Sequence, residues 1–382
     1  MRAKWQKNCQ QQDASSEREL RPKSFAWTND SVNAHLSLPF RTLLLTVLRL
    51  YGAIMHAAMY DAVNAIDKTH KRYLVRLTGV SHFASEDAAA DAAAHAVRVS
   101  LSPKFQTALD AQLQLLLATI PEGADKAEGI RIGQAVADRI LALRSNDGST
   151  DTSAPGDYQS TPPNFPKQPQ FTNWPRAAPF ALERANQFRP GSPPALTSDA
   201  YSDVFAEVQS LGIAGSTTAT PDQVLTGRFW NGAIQNYSNE IAQTVAVAHS
   251  LTTAQSARLF ALLNLTFADS VMAFYDAKYT YNFWRPVTAI REAANDGNPA
   301  TLPNPHWLAE VVNTTPDPAY PGAPAVISEA GTFMLISFFR QDHFDFAVTS
   351  EVLPGVDRSF SYSRTRRLRR QMICGHSQRA GP

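Results

Sequence analysis

Long segments rich in alanine and leucine, without proline in their interiors, constrain the fold of this chain more than any other feature. Their composition and spacing predict helices over residues 43–66, 86–101, 104–120, 124–144, 198–211, 221–249 and 253–279. Strand-like alternation of polar and apolar residues is scarce. The sequence therefore predicts an all-α fold, a helical bundle with additional loops.

Residues 145–196 interrupt this pattern, because prolines recur there too often for helix interiors. Phe165, Phe171, Trp174 and Phe180 are interleaved with the prolines, and a flexible linker does not need that aromatic area. We therefore expect a long ordered proline-rich loop packed on the helices. Residues 1–40 are polar and are expected to be a poorly ordered extension, and residues 41–382 are expected to form a single domain.

The charge balance argues against a polyanionic partner. The chain has 35 basic and 34 acidic residues, and its arginine run at 364–370 lacks interleaved aromatic residues, so we predict no nucleic-acid partner. The most apolar stretch, residues 43–59, contains Arg49 and His56, which favours a buried helix over a membrane span. His56 and Asp61 are interpreted as buried hydrogen-bonding groups rather than catalytic residues.

Other features give less information. The first twenty residues lack the apolar core of a signal peptide, so none is predicted, and the compartment stays unassigned. Cys9 and Cys374 are too few for a disulfide framework. His343 has no second histidine nearby, so we predict no metal-cation site there. Nothing in the sequence decides between a monomer and a homo-oligomer.

Lys278 and Arg285 are the strongest candidates for a functional pair. They stand seven residues apart, about two helical turns, so both cations can point to one side of one helix. Pro286 predicts that the helix stops or bends near Arg285, which places the guanidinium at an irregular junction. Arginine and lysine are the side chains that proteins use for phosphate-like groups. The pair predicts a tetrahedral oxyanion site, with a solvated face or a salt-bridge network as the alternative.

The residues around this pair carry a family resemblance. Lys278, Arg285 and Pro286 lie in a run reading AKYTYNFWRPVTAIR, which resembles the first signature of bacterial vanadium-dependent haloperoxidase-like proteins. Further similarity covers Met55–Asp67, the STPP and QFRP pieces of the proline-rich loop, and Asp296–Trp307. The chain thus resembles the superfamily of vanadium-dependent haloperoxidases and type 2 phosphatidic acid phosphatases, which includes acid phosphatases. The resemblance implies the helical-bundle fold of that superfamily.

The second signature of the family, P-S-G-H, is altered in this chain. The matching residues are Pro321, Gly322, Ala323 and Pro324, so a proline stands where the family has its acid–base histidine. Proline can neither transfer a proton nor donate a backbone hydrogen bond. Gly322 and Ala323 still offer backbone N–H groups to an oxyanion if a helix begins here. The resemblance therefore implies anion binding without the acid–base group.

The third signature supplies an arginine and, six residues later, a histidine. Arg370 and His376 have that spacing. The resemblance implies that His376 is the vanadate ligand in a haloperoxidase or the nucleophile towards phosphorus in a phosphatase. Lys278, Arg285 and Arg370 would then bind the oxyanion oxygens and neutralise their charge. An exposed histidine near the end of the chain is the alternative for His376.

Three functions remain open from the sequence. A vanadium-dependent haloperoxidase would use vanadate as cofactor and take peroxide and a halide as small-molecule substrates. A phosphatase of the same superfamily would cleave a phosphate ester with His376. A catalytically inactive member would bind an oxyanion and convert neither substrate. The resemblance favours the haloperoxidase, and Pro324 favours the inactive member.

Overall fold

The computed structural model describes residues 38–151, 171–311 and 314–363. This part of the chain is mostly helical, which confirms the predicted all-α class. The helices are α1 (Leu38–Asp67), α2 (Glu86–Leu101), α3 (Gln106–Leu117), α4 (Ala124–Arg144), α5 (Asp199–Leu211), α6 (Pro221–Phe229), α7 (Ile234–Ala248), α8 (Thr253–Tyr281), α9 (Pro286–Arg291) and α10 (Ala323–Phe339). Strands β1 (His343–Thr349) and β2 (Asp357–Ser363) form an antiparallel hairpin.

The described residues divide into two compact units. Unit 1 contains residues 50–145 and 239–264. Unit 2 contains the described parts of residues 37–49, 146–238 and 265–382. The poorly ordered extension predicted for residues 1–40 lies almost entirely outside the described residues, and the single domain stays a prediction.

Close approach of two helices shapes unit 1. A Cβ added at Gly129 of α4 would lie 2.4 Å from the backbone oxygen of Ser85, and one added at Gly133 would lie 2.3 Å from that of Ala89 in α2. No side chain fits at these distances, so glycine lets α4 lie directly against the alanine-rich face of α2. Ser85 begins α2 as an N-cap, accepting a hydrogen bond from the backbone N–H of Ala88 at 3.2 Å.

Two buried polar residues of α1 behave differently in unit 1. Asp61 accepts hydrogen bonds from three consecutive backbone N–H groups at 2.6–2.8 Å, those of Tyr73, Leu74 and Val75. The predicted hydrogen bonding of Asp61 is therefore confirmed. His56 stacks on Phe260 with ring centroids 5.7 Å apart, but its Nδ1 has no hydrogen-bond partner in the described part of the chain. The hydrogen bond expected of His56 is therefore absent at that nitrogen among the described residues, and the ring is instead buried against Phe260.

A similar carboxylate anchors the proline-rich loop in unit 2. Asp269 of α8 accepts hydrogen bonds from the backbone N–H groups of Phe180, Ala181 and Leu182 at 2.6–2.9 Å. Phe180 and Trp174 of the same loop are buried. The described part of the loop is thus packed on helices, as its aromatic content predicts. Phe165 lies outside the described residues.

The prediction of one continuous helix over residues 221–249 is wrong, because the structure has two helices there, α6 and α7, with a break between them. Gly232 lies in this break, where a Cβ would meet the Tyr237 hydroxyl at 2.4 Å and Glu351 Oε2 at 2.8 Å. The Glu351 carboxylate also accepts the backbone N–H of Ala233 at 2.8 Å. The close contacts with Tyr237 and Glu351 require glycine at this position, and the Asn231–Gly232 pair is a local turn signal at the break.

The hairpin was not predicted from the sequence, although β1 has a regular pattern. Phe344, Phe346 and Val348 are buried and alternate with exposed residues along the strand. Among the described residues one helical stretch, Thr253–Arg291, has the length and apolar character of a membrane span, and 72% of its most apolar window is buried inside the protein. Residues 43–59, predicted as a buried helix, lie within α1, and those with described side chains are largely buried.

Candidate oxyanion site

Lys278 and Arg285 lie on either side of the junction between α8 and α9. Lys278 is in the last turn of α8, which ends at Tyr281, and Asn282 then has a left-handed backbone conformation with φ of 52°. Arg285 is the N-cap of α9, and Pro286 occupies the first turn of that helix. The predicted break near Arg285 is confirmed. The expectation that both cations share one helix is wrong, because α8 already ends at Tyr281 with left-handed Asn282, and Pro286 then favours an extended conformation at Arg285.

The two cations nevertheless converge on one carboxylate oxygen. Oδ2 of Asp317 lies 3.0 Å from Lys278 Nζ and 3.0 Å from Arg285 Nη2. Arg285 also donates from Nε to the backbone oxygen of Asp317 and from Nη2 to Thr315 Oγ1, both at 2.5 Å. Lys278, Arg285 and Asp317 form what we call the charged triad. The salt-bridge network that the sequence left as an alternative is therefore present.

Lys278 has no free donor within the triad. Its ammonium carries three N–H donors, and it contacts three acceptors: Asp317 Oδ2, the Pro318 carbonyl oxygen and, at 3.4 Å, the Ala319 carbonyl oxygen. The side chain is 1% exposed. Burial lowers the pKa of Lys278 to about 8, Asp317 opposes this shift, and Arg285 adds to it.

Asp317 carries the negative charge that buried Lys278 and half-buried Arg285 need. Burial by itself raises the pKa of Asp317, but Lys278 and Arg285 outweigh burial and hold that pKa below its ordinary value. The carboxylate therefore stays ionised near neutral pH. Sequence reasoning missed Asp317 and Thr315, and the signal was indirect: buried cations require an acidic partner somewhere in the chain.

Arg285 is less completely engaged than Lys278. A guanidinium has five N–H donors, and those on Nε and Nη2 are used by Asp317 and Thr315. Nη1 donates no hydrogen bond to any residue that the structure describes, and the side chain is 16% exposed. All N–H donors of Lys278 are thus engaged, whereas Arg285 keeps the donors on Nη1 for a ligand.

The chain that carries Asp317 continues directly into α10. Gly322 is the N-cap, Ala323 is the first helical residue, and Pro324 lies in the first turn, as the sequence predicts for this segment. A Cβ added at Gly322 would meet only the Ala325 Cβ, at 4.0 Å. The backbone N–H groups of Gly322 and Ala323 precede the first intrahelical bonds, whereas Pro324 has no N–H group. Their role towards an oxyanion stays a prediction.

The proline-rich loop packs beside the triad. Arg189 makes a bidentate ion pair with Asp276 of α8, with Nε–Oδ2 and Nη2–Oδ1 distances of 2.6 and 2.8 Å. The Tyr281 hydroxyl donates to the Pro190 carbonyl oxygen at 2.5 Å, and the Tyr320 hydroxyl donates to that of Gly191 at 2.9 Å. The QFRP piece of the sequence is therefore part of the structure around this site.

Arg370 and His376 lie outside the described residues, so their placement stays a prediction. His343 Nε2 lies 3.6 Å from Asp345 Oδ1, and both side chains are exposed. No group of three or more histidine, cysteine, aspartate or glutamate residues suited to a metal ion occurs in the part of the chain that the structure describes.

Comparison with known proteins agrees with the resemblance read from the sequence. The family model described as the VCPO second helical-bundle domain matches residues 258–378, a range that contains Lys278, Arg285, Pro324 and His376. The chain is 28% identical over 277 residues to vanadium chloroperoxidase from Curvularia inaequalis. The match covers 58% of this chain and 45% of that protein. The chain therefore spans about half the length of this curated relative.

Solved structures show the same fold. A bacterial vanadium-dependent iodoperoxidase superimposes with a TM-score of 0.66 and 24% identity, covering 83% of this chain and 81% of that one. The holo form of a bacterial vanadium-dependent chloroperoxidase gives a TM-score of 0.62 and 15% identity, covering 90% and 87% of the two chains. The predicted helical-bundle fold is thereby confirmed.

Proposed function

From the relationship of this chain to the vanadium haloperoxidases, we propose that it is a haloperoxidase-like protein that binds a tetrahedral oxyanion at the charged triad. One observation carries the proposal: Lys278 and Arg285 both lie 3.0 Å from a single anionic oxygen of Asp317. That carboxylate oxygen stands in for an oxyanion oxygen, so the donor set suits vanadate or phosphate in charge and in reach.

The same arrangement and the family pattern together suggest which residues would hold vanadate. Lys278 and Arg285 would neutralise its oxygens, the backbone N–H groups of Gly322 and Ala323 would donate from the start of α10, and the family pattern adds Arg370 and His376. Bound vanadate would supply the activation of peroxide by which a halide is oxidised to hypohalous acid. The chain contributes charge and position.

Pro324 limits the rate in this proposal. A positioned acid–base group is worth roughly 10²–10⁴-fold in rate, and proline cannot act as one. We therefore expect slow turnover compared with a chain that has histidine at this position. A catalytically inactive oxyanion-binding protein is the second candidate, and the occupation of both cations by Asp317 favours it.

Bromide oxidation by the purified full chain with orthovanadate and peroxide tests the proposal. The control is vanadate and peroxide without protein, because free vanadate reacts by itself. Turnover above this control supports a haloperoxidase. Its absence from folded protein that binds vanadate supports the inactive candidate. Hydrolysis of a chromogenic phosphate monoester would instead indicate the phosphatase that the sequence left open.

Two substitutions sharpen this test. At saturating vanadate, Pro324→His should raise bromide oxidation by about 10²–10⁴-fold, and Pro324→Ala is its control, because alanine restores the backbone N–H without an imidazole. His376→Ala should abolish vanadate binding. Unchanged vanadate affinity in the His376 variant would remove that residue from the site.

A further inference from the structure

We propose that Asp317 is the residue that sets the oxyanion affinity of this site, because its carboxylate is a built-in anion that already occupies the two cations. This inference rests on the proposed function and deepens it. It names the competitor that a free oxyanion meets at the charged triad.

The first step is the position of the carboxylate. Asp317 Oδ2 lies 3.0 Å from both Lys278 Nζ and Arg285 Nη2, which is where an oxygen of a bound oxyanion would accept from the same two donors. Two anionic oxygens cannot share this point. A free oxyanion therefore binds either without Lys278 or after Asp317 has moved away.

The second step is the count of donors. All three N–H donors of Lys278 are engaged, by Asp317, Pro318 and Ala319, and the ammonium is buried. Arg285 keeps only the donors on Nη1 free of bonds to the described residues. The site offers an incoming oxyanion one side of a guanidinium instead of two converging cations.

The third step is the charge. Lys278 and Arg285 together carry two positive charges, and Asp317 reduces the net charge of the triad to one. An ionised carboxylate next to a phosphate or vanadate also repels it, since like charges placed together in a poorly solvated site are unfavourable. Asp317 thus weakens oxyanion binding both by occupying donors and by repulsion.

Calorimetric titration of the full chain with inorganic phosphate tests the proposal. Phosphate should bind Asp317→Asn at least about tenfold more tightly than the unchanged chain, because the amide keeps the shape and removes the negative charge. Asp222→Asn is the matched control, since it also removes one negative charge from an aspartate, but from the exposed ion pair with Arg358. This control should keep the original affinity.

The Asp317→Asn variant leaves buried Lys278 and half-buried Arg285 without an anion and is therefore expected to be less stable. Thermal unfolding in phosphate, compared with chloride at equal ionic strength, keeps the proposal testable. Phosphate should restore the stability or the refolding of this variant far more than it stabilises the unchanged chain. A variant that no concentration of phosphate stabilises would overturn the proposal.

The outcomes separate the inference from the function on which it rests. Equal phosphate affinity in the unchanged chain and in Asp317→Asn would overturn the role of Asp317 and leave the oxyanion site intact. Phosphate binding to neither folded protein would overturn both. If Asp317→Asn binds phosphate more tightly and the double variant Asp317→Asn/Lys278→Met loses that gain, the phosphate contacts the Lys278 ammonium. That result would support both the role of Asp317 and the oxyanion site.

Discussion

Asp61 in unit 1 and Asp269 in unit 2 anchor loops in the same way. Each lies buried on a long helix and accepts hydrogen bonds from three consecutive backbone N–H groups, those of residues 73–75 and 180–182. Both also begin a short D-x-V-x-A pattern. A buried carboxylate satisfied by backbone donors is thus a structural device used twice in this chain.

The two helices differ in the residues beyond the anchoring aspartate. In unit 1, α1 ends at Asp67 soon after Asp61. In unit 2, α8 continues beyond Asp269 to present Lys278, and the junction after it presents Arg285. The comparison teaches that the anchor belongs to the scaffold and that the candidate chemistry comes from the extended end of α8. A buried charged residue is therefore weak evidence of a site until its partners are known.

The largest expected effect tests whether the two anchors are equivalent. Asp61→Ala and Asp269→Ala should each lower the free energy of unfolding by roughly 3–6 kcal/mol. In each case one buried N–H group loses its acceptor, at about 1–3 kcal/mol, and two part-buried N–H groups lose theirs, at roughly 1–1.5 kcal/mol each. Hydrogen exchange should rise at residues 73–75 in the first variant and at 180–182 in the second. A small effect at only one of the two positions would show that the resemblance between them is superficial.

The next prediction separates the units by their response to acid. Burial, with a smaller effect of Arg98, lowers the pKa of His56 to about 3 from its ordinary 6.5. Below pH 6.5 the unfolded chain binds a proton at this histidine that the folded chain does not bind. The free energy of unfolding therefore falls as the pH drops from 6.5 towards 3, by up to about 5 kcal/mol. Hydrogen exchange of unit 1 measured between these pH values should show the loss.

His56→Leu should remove this part of the acid sensitivity, because leucine keeps an apolar side chain beside Phe260. The same substitution at His306, which is exposed, is the matched control and should leave the sensitivity in place. If acid sensitivity in unit 1 persists without His56, another group is responsible, and the burial of His56 has no consequence for stability.

The sequence predicted those features of the fold that depend on neighbouring residues. The observed bounds of α2 and α4 equal the predicted ones, since Ser85 caps one helix and loop residues separate the two. The break at Gly232 was missed although Asn231–Gly232 is a local turn signal, and the contact with Glu351, far along the chain, is one that the sequence does not show. Long-range contacts of this kind leave no local pattern.

The candidate site was predictable only in part for the same reason. Lys278 and Arg285 were recognisable from their spacing and from Pro286, but Asp317 stands on a separate segment that reaches them through tertiary packing. The sequence of that segment shows the loss of histidine at Pro324 directly. It does not show that a carboxylate a few residues earlier would neutralise the cations.

A smaller effect is expected on the alkaline side, in unit 2. Burial lowers the pKa of Lys278 from 10.5 to about 8. This shift in pKa is smaller than that of His56, from 6.5 to about 3. Above pH 8 the folded chain releases this proton before the unfolded chain does, so stability should rise as the pH increases. Chemical denaturation between about pH 8 and 9.5 should show this rise in the free energy of unfolding, and Lys278→Met should abolish the rise. The measurement stops below pH 10 because burial raises the pKa of Tyr201 to about 12. At higher pH this tyrosine ionises more readily in the unfolded chain, which favours unfolding.

The smallest effect compares the helix contacts of the two units through Gly133 and Gly331. A Cβ at Gly133 would lie 2.3 Å from the backbone oxygen of Ala89, whereas one at Gly331 would lie 3.1 Å from the ring of Phe267. Alanine has the same helix propensity advantage at both positions, about 0.5–1 kcal/mol, so the difference between the variants isolates the clash.

Gly133→Ala should lower the free energy of unfolding by about 1–3 kcal/mol, because a backbone oxygen cannot move away without separating α2 from α4. Gly331→Ala should change the free energy of unfolding by less than about 1 kcal/mol, because an aromatic ring can shift by a few tenths of an ångström. Equal costs in chemical denaturation would mean that the α2–α4 contact adjusts as easily as a side chain, and that unit 1 is not the more rigidly packed of the two.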